Sequence, residues 1–275
     1  MILALIAILG LGSLVERPSD GPARLKIDLE RARPGTTIKL APGDYGRVVI
    51  VDRHWSPAIT IDAGRSILGV TILRSSGIAF RNGVFGDSSV PGINGRAASI
   101  TMSRDISFDG SLFRNARVGA GIDQSSSIRI SRAEFRGMSA DGVDIASSHE
   151  VVIESVRCHD FVPSDRHPDC VQMWSRPGKV TADITIRNNI AEGAMQGFTG
   201  FNHVRQGVDD GGFDRVRLTG NMVRSTAPNG VTLSDCRDCV IADNVTDRLP
   251  NARFPVKTRT PRCSRCEIRS NRDSD

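Results

Sequence analysis

The sequence predicts an all-β fold: a right-handed parallel β-helix with a short N-terminal capping helix. Three observations predict it. From about Phe80 onward a pattern of apolar, any, apolar and then polar or small residues returns with the spacing of one coil. Its clearest copies are Ile186-Arg-Asn-Asn189, Leu218-Thr-Gly-Asn221, Ile241-Ala-Asp-Asn244 and Ile268-Arg-Ser-Asn271, with Asn-to-Asn steps of 32, 23 and 27 residues. Earlier copies at Phe108, Ile130 and Ile153 step by 22 and 23. A second series runs alongside: Gly121-Ile-Asp-Gln, Gly142-Val-Asp-Ile, Cys170-Val-Gln-Met, Gly197-Phe-Thr-Gly, Gly230-Val-Thr-Leu and Pro255-Val-Lys-Thr. Finally, each unit offers only short alternating strands and no helical period. Such units bury their apolar faces by stacking into a solenoid.

The elements follow in chain order. Met1 to Leu14 (MILALIAILGLGSL) is an apolar opening, too short to span a bilayer and similar to the core of a secretion signal. It lacks a basic leading region, and the rival reading is a buried first strand. We take it as an export segment, so the expectation is a secreted or periplasmic protein without stable membrane insertion. Residues 15–275 then form a single β-helix domain, expected to be a monomer, since no linker or charge run divides them. Ala23 to Arg33 places Leu25, Leu29 and Ala32 on one helical face, which predicts a helix near residues 24–33 that plugs the open end of the solenoid.

Along the coils, side chains alternate between faces. Ile122, Val143, Val171, Phe198, Val231 and Val256 are therefore expected to stack inward. Asp123, Asp144, Gln172, Thr199, Thr232 and Lys257 are expected to form an outward column. The Asn series marks a corner, where Asn tolerates left-handed backbone and bonds the next coil through its amide.

The helix is followed by Pro34-Gly-Thr-Thr-Ile-Lys-Leu-Ala-Pro-Gly-Asp-Tyr45. The stretch ARPGTTIKLAPGDY resembles the opening segment of the pectate-lyase-like superfamily of right-handed β-helices, and the rest of the chain resembles its coils. That superfamily contains polysaccharide lyases, uronan C5-epimerases, glycoside hydrolases and phage depolymerases. The resemblance implies the fold and a carbohydrate substrate more firmly than any one reaction.

Composition narrows the partner. The net charge is +5 and the isoelectric point about 9.1, which favours a polyanion. The arginines are scattered over turns, with no aromatic-interleaved basic stripe, so nucleic acid is not expected. An acidic polysaccharide suits a long shallow groove better. No cofactor is specified. Calcium held by Asp123, Asp144 and Asp169 is an open alternative, because carboxylates alone do not define a calcium site.

Six cysteines are present. Cys236, Cys239, Cys263 and Cys266 form two CxxC motifs, a zinc pattern in a reducing compartment. In register, however, Cys236 stands over Cys263 and Cys239 over Cys266, about 4.8 Å apart, within reach of a disulfide. With export assumed, coil-to-coil disulfides are favoured over zinc. Cys158 and Cys170 bracket the loop from His159 to Asp169, and a disulfide there would clamp it, with buried free thiols as the alternative.

The most informative segment is His167-Pro-Asp-Cys-Val-Gln-Met-Trp174. It joins a loop to an outward-facing strand, so His167, Asp169 and Gln172 converge, and Trp174 with Phe201 on the next coil would form a platform for sugar rings. The stretch HPDxxQ looks like a recurrent element of secreted β-helix proteins. It departs from the paired aspartates of polygalacturonases and from the Asp-Pro-His-Asp of alginate epimerases. The candidate catalytic set is His167, Asp169, Gln172, Asp144 and Arg205. The candidate substrate-binding set is Trp174, Phe201, His203, Lys257 and Arg259. Asp209 and Asp210 lie in the same 197–212 excursion as His203 and Arg205. Tyr45, the only tyrosine, lies near the N-terminal plug and is excluded as the acid.

These residues suit β-elimination. His167, oriented by Asp169, would take the C5 proton of a uronate, Arg205 or His203 would stabilise its carboxylate, and Gln172 or Asp144 would hold the ring. Proton return at C5 would give an epimerase instead. Asp144 and Asp169 as paired carboxylates would give a hydrolase. A non-catalytic polysaccharide-binding or surface protein is the third class.

Overall fold

The structure, a computed structural model, describes residues 14–15, 21–86, 95–164 and 167–273. The apolar opening through residue 13 lies outside the described residues. Leu14–Val15 is a two-residue strand lying parallel to Ile38–Lys39.

The chain coils so that three parallel sheets form. Sheet A runs through Arg96–Thr101, Val118–Asp123, Val143–Ala146, Asp169–Trp174, Gln196–Gly200, Asn229–Leu233 and Lys257–Arg259. Sheet B includes Arg104–Asp109, Ser126–Ser131, His149–Glu154 and Thr181–Arg187. Sheet C includes Leu112–Arg114, Glu134–Arg136, Arg157–His159, Ile190–Gly193, Met222–Ser225 and Val245–Arg248. Every pairing among these is parallel, because each coil returns the chain to the same sheet one level on.

The core is a set of stacks. Phe108, Ile130, Ile153, Ile186, Leu218 and Ile241 occupy one row of sheet B and are fully buried, as the repeat predicts. Phe80 stacks on Phe108 at 4.9 Å and Phe113 on Phe135 at 4.6 Å between ring centroids. Each such ring removes from water an apolar area worth on the order of 2 kcal/mol. Ile122, Val143, Val171, Phe198, Val231 and Val256 are likewise inside, but only Val143, Val171, Phe198 and Val231 share one row, since Ile122 stands level with Ile145 and Val231 with Thr258.

Two ladders hold the corners. Between sheets A and B, the N–H groups of Ser75, Ser103 and Ser125 each donate to the serine hydroxyl of the next coil, Ser103, Ser125 and Ser148. Between sheets B and C, the amides of Asn189, Asn221 and Asn244 donate to the side-chain oxygens of Asn221, Asn244 and Asn271. The left-handed backbone belongs to the residue before each Asn, at Asn188, Gly220, Asp243 and Ser270, rather than to the ladder Asn itself. The turn is made there so that the following amide can point along the helix axis.

The helix spans Gly21–Arg31, with Leu25 and Leu29 buried and Ala32 packed against the core. It packs on the strand Asp44–Val51, and Trp55 Nε1 ties its end by donating to the Ala32 carbonyl at 3.0 Å. Tyr45 is buried beneath it.

Three expectations are corrected. Asp144 stands level with Gly121, and Asp123 with Ala146 and Trp174. The outward column therefore runs Gly121, Asp144, Gln172, Thr199, Thr232, because aligning on the shared glycine misplaced that coil by two residues. Lys257 pairs with Asn229 across an irregularity that puts Arg259, not Lys257, beside Thr232. Cys236 is bonded to Cys239 within one coil, with Cα atoms 6.2 Å apart, while Cys263 and Cys266 are free. Asp238 adopts left-handed backbone between the two bonded cysteines and turns both side chains into the same corner. Cys158–Cys170 is a disulfide, with Cα atoms 5.6 Å apart.

The arginines also have structural partners. Arg74–Asp52, Arg215–Asp183, Arg262–Asp235 and Arg265–Asp238 are two-bond forks between neighbouring coils. Much of the positive charge is thus distributed along the corners and partnered there.

Candidate functional site

Sheet A carries a groove of about 910 Å³ on its outer face. It is lined by residues from successive coils: Arg96, Asp141 and Asp144, then His167, Gln172 and Trp174, then Gln196, Phe201, His203 and Arg205, with Arg117 and Asn229 also in its wall. Most of the sequence-predicted site therefore converges. Lys257 does not line it. Arg259 acts at one remove, its Nη1 donating to Asn229 Oδ1 at 2.8 Å.

The strand Asp169–Trp174 positions the centre. His167 lies just before it, 60% exposed, with Nδ1 3.2 Å from Asp169 Oδ2. Asp169 is fully buried and also accepts the Thr199 hydroxyl. Burial raises its carboxyl above the usual range, opposed by the hydrogen bonds from His167 and Thr199. The Cys158–Cys170 bond closes the base of the loop that carries His167.

Asp141 was missed in the sequence. Its Oδ1 accepts the backbone N–H of Asp169 at 2.8 Å, so it stands one coil before Asp169, as Asp144 stands one coil before Gln172. Both steps are 28 residues, and running the repeat one position back would have found it. Burial, and then the negative Asp169, push Asp141 up to about 6. Asp144 is buried too. Burial and then the adjacent Asp141 carboxyl raise it well above the usual range. Its Oδ1 makes no hydrogen bond, and its Oδ2 lies 3.5 Å from Arg96 Nη2. Two neighbouring buried carboxyls cannot both be ionised at small cost, so the pair keeps a proton near neutral pH.

The other side is a hairpin, in which Val204–Arg205 pairs antiparallel with Val208–Asp209. Asp209 holds its base by accepting from Asn202 Nδ2 and Gly211 N–H, and His203 Nδ1 lies 3.5 Å from Asp210 Oδ2. His203 and Arg205 thereby face the groove, as the 197–212 excursion predicts. Trp174 and Phe201 are both half-buried in the lining.

Asp123, Asp144 and Asp169 are not assembled as calcium ligands: Asp123 is paired with Arg176 on a different row. Among the described residues no group of three or more His, Cys, Asp or Glu is arranged to hold a metal ion. No described helix is long and apolar enough to cross a membrane.

No known family's sequence pattern matches the chain, and no curated protein matches it in sequence. Solved structures do. PfbA, a surface adhesin of Streptococcus pneumoniae, aligns with TM-score 0.60 at 13% identity over 91% of this chain and 74% of its own. The Dettilon tailspike protein aligns with TM-score 0.57 at 12% identity over 96% of this chain. The chain spans only 60% of that tailspike. An alginate lyase from Paenibacillus aligns with TM-score 0.50 at 14% identity, over 93% of this chain and 99% of its own. At such identities the likeness speaks for architecture alone, and the chain has the right-handed parallel β-helix fold.

Proposed function

We propose that the protein cleaves an acidic, uronate-containing polysaccharide by β-elimination in the sheet A groove. The observation that carries this reading is the pairing of an oriented, exposed base with buried carboxyls that keep a proton. His167, held through Nδ1 by Asp169, takes the proton at C5 of the uronate. The electron pair forms the C4–C5 double bond as the C4–O bond breaks, and Asp144, backed by Asp141, gives its proton to the departing oxygen. Gln172, Gln196 and Asn229 face the ring hydroxyls, and Trp174 with Phe201 supplies the apolar platform. Return of a proton at C5 in the same groove would make the protein an epimerase.

A second reading rests on one observation: Asp141 and Asp169 stand on neighbouring coils, about 4.8 Å apart at the backbone. That arrangement also suits glycoside hydrolysis. Polysaccharide binding without turnover is the third outcome. Export to an oxidising compartment accords with the Cys158–Cys170 and Cys236–Cys239 bonds. We take the protein to act as a monomer, with the helix Gly21–Arg31 covering the first coil.

The test is a screen of alginate, pectate, glycosaminoglycans and bacterial exopolysaccharides, following absorbance near 235 nm together with reducing ends. Both signals rising is expected. Reducing ends without absorbance select hydrolysis, a change at C5 without cleavage selects epimerisation, and binding without either selects the non-catalytic protein.

A further inference from the structure

Arg96 and Arg47 are built alike. Each lays its guanidinium across a glycine of the next coil to reach the coil beyond. Arg47 crosses Gly69, donating from Nη1 to the Val70 carbonyl at 3.0 Å and from Nη2 to the Arg96 carbonyl at 2.8 Å. A Cβ on Gly69 would lie 2.6 Å from Arg47 Nη2. Arg96 crosses Gly121, where a Cβ would lie 2.4 Å from its Nε, and comes to Asp144 on the coil after. The two outcomes differ. Neither Nε makes a hydrogen bond, but Arg47 donates through Nη1 and Nη2 to two carbonyls and to Thr71 Oγ1. Arg96 lines the groove with its side chain 26% exposed, and it approaches Asp144 only to 3.5 Å. A tight guanidinium–carboxylate fork closes to about 2.7–2.9 Å.

We propose that Arg96, carried on Gly121 and fixed from behind by Arg47, is the group of this groove that recognises the carboxylate of an acidic sugar. The inference rests on the groove being the polysaccharide site, and it replaces Arg205 in that role. Arg205 stands exposed on the hairpin, where its position depends on that excursion. Arg96 instead sits on the sheet, its backbone held by Arg47, in the wall that also holds Asp141 and Asp144. The 3.5 Å approach to Asp144 leaves Arg96 short of a close counterion on the groove side. A sugar carboxylate supplies it, with a planar fork matched to two oxygens. Gly121 is required because any side chain there displaces the fork.

The experiment is calorimetric titration with short galacturonate, mannuronate and glucuronate oligosaccharides, each against its carboxyl-reduced form, which keeps the ring and loses the charge. The parent protein is expected to bind at least one acidic form about 10- to 100-fold more tightly than its reduced form. Arg96→Gln should erase that preference, and Arg96→Lys should keep only part of it. Gly121→Ala should reduce it with the arginine still present. Thermal unfolding of each variant identifies any that fails to fold, and the lysine variant keeps the charge where glutamine proves disruptive. Unchanged preference in folded Arg96→Gln, or no preference in the parent protein, overturns the proposal. Lost preference with no polymer cleaved leaves it standing while the lyase reading falls. A cleaved polymer with unaltered preference in Arg96→Gln does the reverse.

Discussion

Asp141 Oδ1 accepts the backbone N–H of Asp169 at 2.8 Å, so the carboxyl of one coil fixes the residue that orients the proposed base on the next. Asp169 in turn holds His167 from below through Oδ2. A buried acid, a buried orienter and an exposed imidazole are therefore joined in sequence by hydrogen bonds across two coils.

The first consequence concerns the base. His167→Ala should lower kcat on the polymer found in the screen by about two or more orders of magnitude. Asp169→Asn should lower it as well, because an amide stabilises the imidazolium poorly and can select the wrong tautomer. Steady-state kinetics checks both, and full activity in His167→Ala would reject the base.

Stability should report on Asp141. Its folded value, about 6, lies above the usual carboxylate value of 3.8, so the folded state binds more protons between those two pH values. The favourable contribution is complete below the lower value and lost as pH rises through the upper one, on the order of 2–3 kcal/mol. Asp141→Asn keeps an oxygen for the Asp169 N–H and does not ionise. Denaturant unfolding at pH 4.5 and 7.5 should therefore show that the variant gains on the parent protein toward pH 7.5. An equal difference at both pH values would contradict the assignment.

Peptide mapping without reduction should recover Cys158 joined to Cys170 and Cys236 joined to Cys239, with Cys263 and Cys266 available to alkylation. Removing the first bond by Cys158→Ser should cost about 3 kcal/mol, as expected for a loop of this length. It should also release the segment carrying His167, which hydrogen exchange would detect.

The amide ladder should be unforgiving. Asn221 is 1% exposed, accepts from Asn189, and donates to Asn244 Oδ1 and to the Ile186 carbonyl. Asn221→Ala strands donors and acceptors on both neighbouring coils and should cost about 3 kcal/mol or more. Asn271→Ala, with only one neighbour in the ladder, should cost less. Thermal unfolding compares the two.

Trp174→Ala should raise KM with little effect on kcat, since a stacking surface serves the ground state and transition state alike. A fall in kcat with KM unchanged would instead give Trp174 a part in positioning the reacting ring.

The solenoid and its inward stacks were legible in the sequence, because a buried row must repeat: Phe108, Ile130, Ile153 and Ile186 could not alternate otherwise. The outward rows were less so. Gly121 and Gly142 look equivalent as letters, but Gly121 belongs to the row of Asp144, where it serves as the bed of a guanidinium. Asp141 was hidden because it precedes its strand, and Arg96 because its reach spans two coils, a distance no local pattern encodes. The cysteine pairing failed for a related reason. Register brought Cys236 over Cys263, while the left-handed turn at Asp238 brought Cys236 to Cys239 first.

The row Gly121, Asp144, Gln172, Thr199, Thr232 gives each coil one position on the groove side of sheet A, and Asp144 and Gln172 line the groove itself. Such a surface is a ruler. Gain or loss of a coil elsewhere along it would leave the reacting centre intact and move every more distant contact by one graduation of about 4.8 Å. The length of polymer recognised can thus evolve by counting, independently of the chemistry performed on it.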